Sequence, residues 1–439
     1  MTLDMTRGKP LGLIMRFAFP LMLSSLLQQL YTLCDSFIVG RLLGTVAFAA
    51  TGSASYLNWF PLGMLMGAIR GFGVPMAQQF GAGRQGEFRR FLGGALELSM
   101  ALGFAISLAG FFWAETLLAA LNTPPELLEP AARYLRVVWL GFGVTALLNL
   151  FTTALMSMGD SRTPLIALGV SSAVNIILDV VLLAKFSMGV EGAALATVIA
   201  QGAAAVPCFL ALRRGGNALP RGEDFRPKKY VMKELVRMGF PQLLSNSVIA
   251  SGEWVVQYAV NSCGVAFVTG MTAARRYFNL ANVVGGGLEG AVVTYVGQNY
   301  GAGRYDRIRM GTRKAVSMGL LSALLTGVLV FLLAEPMIRI FIPDGTAEVV
   351  RIGVEALRIQ SVFLVFLYML CEHRAAIQGM GNAIIPMWSG FLELAVRILT
   401  TLLLPLWIGQ SGLYFTDAAA WVPTMVMLIV CYHIRKNRL

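Results

Sequence analysis

Long apolar stretches dominate this sequence, and each is about as long as a helix needs to be to cross a membrane. A spanning helix requires about 20 mostly apolar residues. The stretches cover residues 13–39, 46–80, 91–113, 135–158, 164–184, 192–212, 239–260, 266–300, 315–333, 359–380, 385–408 and 413–433. Only 13% of the residues are charged, so the rest of the chain cannot supply a water-soluble surface. We predict an all-α polytopic membrane protein with twelve transmembrane helices.

The lysines and arginines gather in the segments that share one side of the membrane with both termini. Cytoplasmic loops carry an excess of these residues, so we predict a multi-pass protein of the inner or plasma membrane with both termini in the cytoplasm. The net charge of +12 follows from this asymmetry and suits anionic lipid headgroups. Because the basic residues are scattered over several loops, we expect the lipid bilayer, and no nucleic acid, as a partner.

The two halves of the sequence repeat each other. The matching segments are QFGAGR at 79–84 and NYGAGR at 299–304, FP at 19–20 and 240–241, and MGD at 158–160 and MGN at 380–382. The matches follow the same order at a nearly constant offset, which marks an internal repeat. Each half then holds six spans in the same orientation, as in two-lobed transporters. We predict an N-terminal lobe at 1–212, a basic cytoplasmic linker at 213–236 and a C-terminal lobe at 237–439.

The sequence contains no recognisable catalytic or cofactor-binding motif. The charged residues inside the predicted spans are therefore the candidates for a functional site. There is no GxxxxGK[ST] motif for ATP, and the two histidines belong to no metal-binding pattern. An ionisable side chain at the centre of a spanning helix costs at least ~2.5–3.5 kcal/mol, so each one calls for a partner or a function. No cofactor is expected.

Four polar residues of the first lobe are predicted to lie at a similar depth. Asp35 and Asp179 each precede a basic residue by six positions, and Thr197 follows an acidic one by six, which places all three about 9 Å below the outer boundary. Asn175 shares a helix face with Asp179. Two carboxylates, an amide and a hydroxyl suit a hard cation or a shared proton. The alternative is that each acid only caps or pairs locally within the bundle.

The whole chain resembles the multidrug and toxic compound extrusion (MATE) family of efflux antiporters, through its twelve spans, its two lobes and the FGAG and YGAG loops. The resemblance implies an ion-coupling site formed by Asp35, Asn149, Asn175, Asp179 and Thr197. With Na⁺ as the coupling ion, Asp35, Asn175, Asp179 and Thr197 would be the metal ligands. It also implies that H⁺ or Na⁺ enters while small organic, cationic and amphiphilic compounds leave by alternating access of the two lobes. We expect a monomer.

A second group of ionisable residues lies in the spans of the second lobe. The candidates for ion or substrate binding there are Glu253, Glu289, Tyr368, Glu372 and Glu393. Tyr368 precedes Glu372 by four positions, a spacing similar to that in sodium-coupled members of the family. The alternative is neutralisation by neighbours: Arg397 follows Glu393 by one helical turn, and His373 and Arg374 adjoin Glu372.

Pro20 is a predicted hinge in the first span. Proline removes one backbone hydrogen bond from a helix and can kink it, and Pro241 occupies the matching place in the seventh span. The family resemblance implies that the first span bends when the ion binds in some members.

Two other functions stay open at this point. One is a flippase for lipid-linked oligosaccharides or polysaccharide precursors, which would need several cavity arginines to hold pyrophosphate. The other is an intramembrane enzyme that uses the second-lobe glutamates, although no catalytic constellation is evident from the sequence.

Overall fold

The computed structural model describes residues 2–121, 123–215, 218–226, 228–343 and 345–437, most of which are helical. The helices in chain order are α1 (Pro10–Gly81), α2 (Gln85–Ala120), α3 (Pro125–Leu140), α4 (Phe142–Ser157), α5 (Arg162–Asp179), α6 (Val190–Arg214), α7 (Lys229–Asn261), α8 (Val265–Ala281), α9 (Val283–Gly301), α10 (Tyr305–Phe341), α11 (Ala347–Gly379), α12 (Ile384–Ile408) and α13 (Thr416–Lys436). A π-helix at Val180–Lys185 and 3₁₀ turns at Gly222–Phe225 and Gly409–Phe415 complete the elements, and the described residues contain no strand. The all-α prediction is confirmed.

The helices account for the twelve predicted spans. Among the described residues, seven helical segments are long and apolar enough to cross a bilayer, or eight if the bent pair α3–α4 is one span. Two of these segments, Pro10–Gly81 and Ile384–Lys436, are long enough for two crossings each. The remaining two predicted spans correspond to α7 and to α8–α9, which are not among these segments and which carry charged residues such as Glu253, Arg275 and Glu289.

The sequence repeat is also visible in the backbone. Gly44 separates the first two spans within α1 and has φ 85° and ψ −177°, a conformation that glycine adopts far more readily than other residues. Gly264, at the matching place in the second half, has φ 90° and separates α7 from α8. Further residues with positive φ recur in the same register: Gly83 with Gly303, Gly159 with Gly381, and Ser187 with Gly409. The two halves therefore share their turns as well as their motifs.

Two of the predicted spans are broken helices. The fourth bends by 49° between α3 and α4, where Gly141 lies. The eighth was expected as one run over 266–300, but its helix is interrupted at Asn282 between α8 and α9. Tyr368 donates a hydrogen bond from its hydroxyl to the Ala281 carbonyl at 2.9 Å, so a side chain satisfies a backbone group that the break leaves free.

One compact unit comprises Leu23–Leu243 together with the few residues before Met5. Within it α5 packs along α6, and α2 packs on α3 and α4. Small residues on α2 allow this close approach: a methyl group added at Gly110 would lie 1.8 Å from the Trp139 ring, and the Ser107 hydroxyl donates to the Trp139 carbonyl at 2.6 Å.

The other compact unit comprises Met5–Met22 and Leu244–Leu439. Helix α11 is its most buried element and packs against α8, α9, α10 and α13. Glycines again bring the helices together: a methyl group added at Gly311 of α10 would lie 2.0 Å from the Tyr295 ring of α9, and one at Gly379 of α11 would lie 2.8 Å from Val296.

Each compact unit includes the first turns of a helix that the sequence repeat assigns to the other half. Met5 belongs to the second unit, where its N–H donates to Gln298 Oε1 at 2.9 Å and its carbonyl accepts from Asn299 Nδ2 at 3.1 Å. Conversely, the beginning of α7 packs in the first unit, with Gly239 against the Phe72 ring. The lobes at 1–212 and 237–439 follow the sequence repeat, whereas these units follow the packing. The two divisions therefore differ at residues 5–22 and 237–243, and the predicted linker at 213–236 falls within the first unit.

Candidate functional site

In the first unit, α1, α5 and α6 bring four of the predicted site residues together. The carboxyl groups of Asp35 and Asp179 lie within hydrogen-bonding distance of each other. Asn175, one turn before Asp179, donates from its Nδ2 to the Thr197 hydroxyl at 3.4 Å. Asn175 and Asp179 are both completely buried. The four residues therefore form one polar cluster inside the helix bundle.

Four oxygen atoms of this cluster lack donors among the described residues. Asp35 Oδ1, Asn175 Oδ1 and both carboxyl oxygens of Asp179 are buried and accept no hydrogen bond from any residue that the structure describes. Asp35 and Asp179 form no ion pair with those residues either. Two carboxylates offer only acceptors, so their contact becomes a hydrogen bond only when one of them carries a proton. Burying such groups without a proton or a cation is costly.

The side-chain amide of Asn149 forms its hydrogen bond within its own helix. Its Nδ2 donates to the Thr145 carbonyl on the same helix, α4, at 2.8 Å. The Thr145 hydroxyl in turn donates to Gln201 Oε1 on α6 at 2.6 Å. No hydrogen bond connects Asn149 with the carboxyl pair in the described part of the chain. A part for Asn149 in ion coupling stays a prediction.

Two tyrosines complete the cluster and were missed from the sequence. The Tyr31 hydroxyl lies within hydrogen-bonding distance of Thr197, and the Tyr134 hydroxyl within that of Ser55. Both tyrosines are close enough to Asp35 and Asp179 to interact with them electrostatically. Tyr31 precedes Asp35 by one helical turn, so helical periodicity could have revealed it. Tyr134 could not be found this way, because it lies on a different helix, one position before the predicted fourth span.

One side of the cluster is covered by apolar side chains. Val39, Leu183 and Ala193 are buried against one another, with Ile38, Leu43 and Tyr134 packed around them. Val39 and Leu183 each follow a site carboxylate by four positions, and Ala193 precedes Thr197 by four. The apolar cover therefore lies about one helical turn from the carboxyl pair, towards the Gly44 kink on α1 and within the π-helix that follows Asp179.

Helix α5 changes its geometry immediately after Asp179. Residues Val180–Lys185 form a π-helix, in which Phe186 N–H donates to the Val181 carbonyl at 3.2 Å. Such wide turns are rare, and in proteins they occur frequently at functional sites. The sequence of α5 contains no signal that predicts this change.

In the second unit, two of the four predicted acids, Glu253 and Glu393, have basic partners. Glu393 accepts a hydrogen bond from Arg374, and its other oxygen lies 3.9 Å from Arg397 Nη2. Arg397 Nε also donates to Asp417 Oδ1 at 2.9 Å. Glu253 lies 3.9 Å from Arg275 Nη2. For Glu393, these pairs agree with the alternative that neighbouring basic residues neutralise it.

Glu372 differs from the other second-unit acids. It is 1% exposed, faces Gly319 of α10, and neither of its carboxyl oxygens has a hydrogen-bond partner among the described residues. Its sequence neighbours do not neutralise it, because Arg374 binds Glu393 and His373 contacts the Met369 carbonyl. Glu289 lies near enough to interact with it electrostatically. A direct ion-binding role for the second-unit residues stays a prediction.

A family model named MatE matches this chain twice, over residues 20–181 and over residues 241–403. The chain belongs to the MatE family. The two matches stand in the same register as the sequence repeat, one in each half of the chain. This family consists of multidrug efflux transporters, so the chain is a transporter of small molecules and a multi-pass protein of the plasma membrane. The intramembrane enzyme alternative is thereby excluded, and the flippase alternative is not favoured.

Curated relatives of this MatE protein match over nearly its whole length. It is 27% identical to the probable multidrug resistance protein YpnP of Bacillus subtilis, covering 93% of this chain and 92% of that protein. It is also 27% identical to the probable multidrug resistance protein NorM of Thermotoga maritima, covering 90% and 88%. The multidrug export protein MepA of Staphylococcus aureus is 21% identical, covering 97% and 94%.

Solved structures show the same fold. A crystal structure of a MATE protein in the bent conformation superposes with a TM-score of 0.92 at 22% identity, covering 100% of this chain and 98% of that one. A transporter of the MOP superfamily from Pyrococcus furiosus, described as having a binding pocket of reverse polarity, gives 0.90 at 22% identity, covering 99% and 97%. The twelve-helix transporter fold of this MatE protein is therefore confirmed.

Proposed function

We propose that this protein is a secondary antiporter that exports cationic, amphiphilic organic compounds from the cytoplasm in exchange for protons. The observation that carries the proposal is the contact between the carboxyl groups of Asp35 and Asp179. They lie within hydrogen-bonding distance, have buried oxygens, and have no basic partner among the described residues. A shared proton satisfies this contact without any other group.

Loss of the proton would alter the packing of α1 against α5. Two unit charges 4 Å apart repel each other by about 4 kcal/mol at an effective dielectric constant of ~20. Repulsion of this size between Asp35 and Asp179 is enough to favour a different arrangement of the two helices. Antiport requires that the ion bind the two access states with different affinity. We propose that the protonated pair favours the outward-facing state, which releases the substrate.

Sodium is the second candidate for the coupling ion. Four buried oxygens without donors belong to Asp35, Asn175 and Asp179, and the Thr197 hydroxyl lies next to them. Carboxylate, amide and hydroxyl oxygens are the ligands that hard cations prefer. The same atoms therefore suit a proton shared between two carboxyls or one Na⁺ among several oxygens.

The substrate class, the orientation and the oligomeric state complete the proposal. The relatives are described as multidrug resistance and multidrug export proteins, and buried carboxylates attract organic cations. The excess of lysine and arginine on one side supports cytoplasmic termini. We propose a monomer that needs no other cofactor and binds no nucleic acid.

The decisive experiment is ethidium efflux from proteoliposomes under an imposed pH gradient and, separately, an imposed Na⁺ gradient. We expect efflux with the wild type under the pH gradient and its loss in Asp179→Asn. Asp306→Asn is the matched control, since that side chain is fully exposed. Efflux driven only by Na⁺ would assign the site to sodium. Efflux that survives in Asp179→Asn would contradict a first-unit coupling site.

A result without ethidium efflux under either gradient would remove the support for drug export with this substrate. The same proteoliposomes would then be tested with lipid-linked sugars, the substrates of the flippase alternative.

A further inference from the structure

The first unit contains a cavity of about 610 Å³ beside the helix ends on the side that we assign to the cytoplasm. Residues from three helices and one turn line this cavity. They include Gln79 of α1, Arg84 of the following turn, Glu87 and Phe91 of α2, and Tyr230 and Lys233 of α7. Ligand sites in proteins typically measure about 300–1,000 Å³. The cavity therefore has room for a group as large as a lipid headgroup.

This cavity lies at the depth of the lipid headgroups. The third predicted span begins at Phe91 and the seventh at Gly239, so Glu87 and Lys233 lie four and six residues outside these apolar stretches. At ~1.5 Å rise per residue, these positions are ~6–9 Å beyond the hydrocarbon. The headgroup region on each side of a bilayer is about 5–8 Å thick. In the membrane, the protein therefore presents this cavity to phospholipid headgroups.

The sequence repeat gives this cavity a counterpart within the second unit. Asn299 and Arg304 occupy the places of Gln79 and Arg84 in the matching segments. Both donate side-chain hydrogen bonds to backbone carbonyls of residues 5–8, at 3.1 Å from Asn299 and at 2.8 Å from Arg304. In the second unit, this arginine position thus binds oxygen acceptors that come from a separate segment of the chain.

The two acids in the wall of the first-unit cavity are already engaged with partners. Glu87 Oε1 accepts a hydrogen bond from Arg90, and its Oε2 accepts one from the Tyr230 hydroxyl. Glu234 accepts from Arg237 Nη1 at 3.2 Å. A positively charged group such as choline would therefore find no uncompensated carboxylate in this cavity.

Two cations of the same wall have no counter-ion. Neither Arg84 nor Lys233 forms an ion pair with any residue that the structure describes, and both are exposed, as contact with a headgroup requires. Phosphate oxygens accept charge-assisted hydrogen bonds from arginine and lysine, and basic pockets on the cytoplasmic side of membrane proteins bind anionic headgroups. A phosphate oxygen at Arg84 would take the place that the Thr6 carbonyl has at Arg304 in the second unit.

We propose that this first-unit cavity binds the headgroup of an anionic phospholipid such as phosphatidylglycerol, with Arg84 and Lys233 donating to its phosphate oxygens. The rings of Phe91 and Tyr230, whose centroids lie 6.5 Å apart, form an apolar part of the wall and contact the glycerol backbone of the lipid. The bound lipid connects the turn after α1 with the beginning of α7. Its binding does not depend on the proposed export function.

The test measures the affinity of the first bound lipid by native mass spectrometry of the full-length protein in a neutral detergent. The protein is titrated with phosphatidylglycerol or with phosphatidylcholine of identical chains. We expect phosphatidylglycerol to bind at least about tenfold more tightly, because the cavity offers free cations and no free carboxylate for choline. Lys233→Gln and Arg84→Gln are each expected to weaken its binding about fivefold, the usual contribution of one basic residue near a membrane surface.

Lys229→Gln is the matched control, because Lys229 is an exposed cation one turn before Lys233 on the same helix and does not line the cavity. We expect this variant to bind phosphatidylglycerol with the wild-type affinity. Equal loss of binding in Lys229→Gln and Lys233→Gln would reveal general surface attraction and overturn the proposed site, as would equal affinity for the two lipids.

A soluble competitor distinguishes a lipid from a free phosphate compound. Glycerophosphoglycerol carries the same phosphodiester and glycerol groups as phosphatidylglycerol but has no acyl chains. We expect it to leave the bound lipid in place at equal concentration, because only the lipid is also held by the surrounding apolar surface. Displacement of the lipid by equimolar glycerophosphoglycerol would contradict the lipid assignment.

Discussion

The Asp35–Asp179 pair of the first unit and Glu393 of the second unit have opposite electrostatic surroundings. In the first unit, Asp35 and Asp179 face each other with no basic partner among the described residues. In the second, Glu393 sits between Arg374 and Arg397, and Arg397 continues to Asp417. A carboxylate held by arginines keeps its charge and its place, whereas a pair of carboxyls without cations must take up a proton or a metal ion. The two halves of the repeat thus have similar backbones, but their buried carboxyl groups at these two places differ in how they are neutralised.

The comparison is tested most directly by removing one acid from each unit. We expect Asp179→Asn to reduce gradient-driven efflux by at least about two orders of magnitude, because a coupling residue is required in every cycle. Downhill exchange of molecules that the variant still binds is expected to continue. Initial rates of ethidium efflux under an imposed pH gradient are the measurement. Loss of efflux in Glu393→Gln at full stability, with Asp179→Asn active, would reverse the assignment of the two units.

Thermal unfolding in detergent is expected to rank the same two acids in the opposite order. Glu393→Gln leaves the largely buried Arg374 uncompensated, which typically costs about 3–5 kcal/mol of unfolding free energy. Asp179→Asn removes a charge that has no partner among the described residues and is expected to be neutral or stabilising. Combining Glu393→Gln with Arg374→Gln is expected to recover part of the loss. A Glu393→Gln variant as stable as the wild type would show that the arginine network does not stabilise the second unit.

We expect close helix packing to contribute similarly to the stability of both units, in contrast to the buried charges. Gly110→Ala pushes a methyl group into the Trp139 ring of the first unit, and Gly311→Ala pushes one into the Tyr295 ring of the second. Overpacking of this kind costs about 1–3 kcal/mol. Gly169→Ala is the control, since a methyl group there has no neighbour within 4 Å. Melting temperatures that fall in only one of the two glycine variants would show that the units also differ in packing.

A smaller effect is expected at the predicted hinge. Pro20 and Pro241 each lie shortly before the chain passes from one compact unit to the other. We expect Pro20→Ala to slow efflux severalfold without changing the affinity for ethidium, because alanine restores the helical hydrogen bond and stiffens α1. Pro241→Ala serves as the counterpart in α7. Transport by Pro20→Ala at the wild-type rate would argue against a hinge.

The smallest effect concerns a polar contact outside the spans, at the beginning of α2 and α7. A hydrogen bond from the Tyr230 hydroxyl lowers the pKa of Glu87, with a further contribution from Arg90. A lowered pKa stabilises the fold above the ordinary pKa of glutamate, and this gain is lost as the pH falls through the lowered value. We therefore expect Tyr230→Phe to lower the melting temperature by about 1–2 °C at pH 7, with the difference shrinking in acid. A difference that is independent of pH would contradict this account.

The fold could be predicted almost entirely from the sequence, because the lengths of the apolar stretches and the repeat of the two halves are properties of the chain itself. The sequence also predicts that four polar residues lie close together, because depth below the membrane surface can be counted along a helix. These residues are Asp35, Asn175, Asp179 and Thr197. Tyr134 and the cover formed by Val39 and Leu183 could not, because they depend on which helices are neighbours. The partners of Glu393 were only partly foreseeable: Arg397 is one turn away in sequence, but Arg374 comes from a different helix.

The packing of Met5 onto Gln298 and Asn299 has a consequence for biosynthesis. Met5 is synthesised long before Gln298 and Asn299, to which its backbone is hydrogen-bonded in the folded protein. Until those residues are made, Met5 cannot form these hydrogen bonds, and the helix that follows lacks its final neighbours. Likewise, the first unit cannot be completed by residues 1–212 alone, because the beginning of α7 belongs to it. Neither compact unit can therefore complete its packing until synthesis of the chain is well advanced.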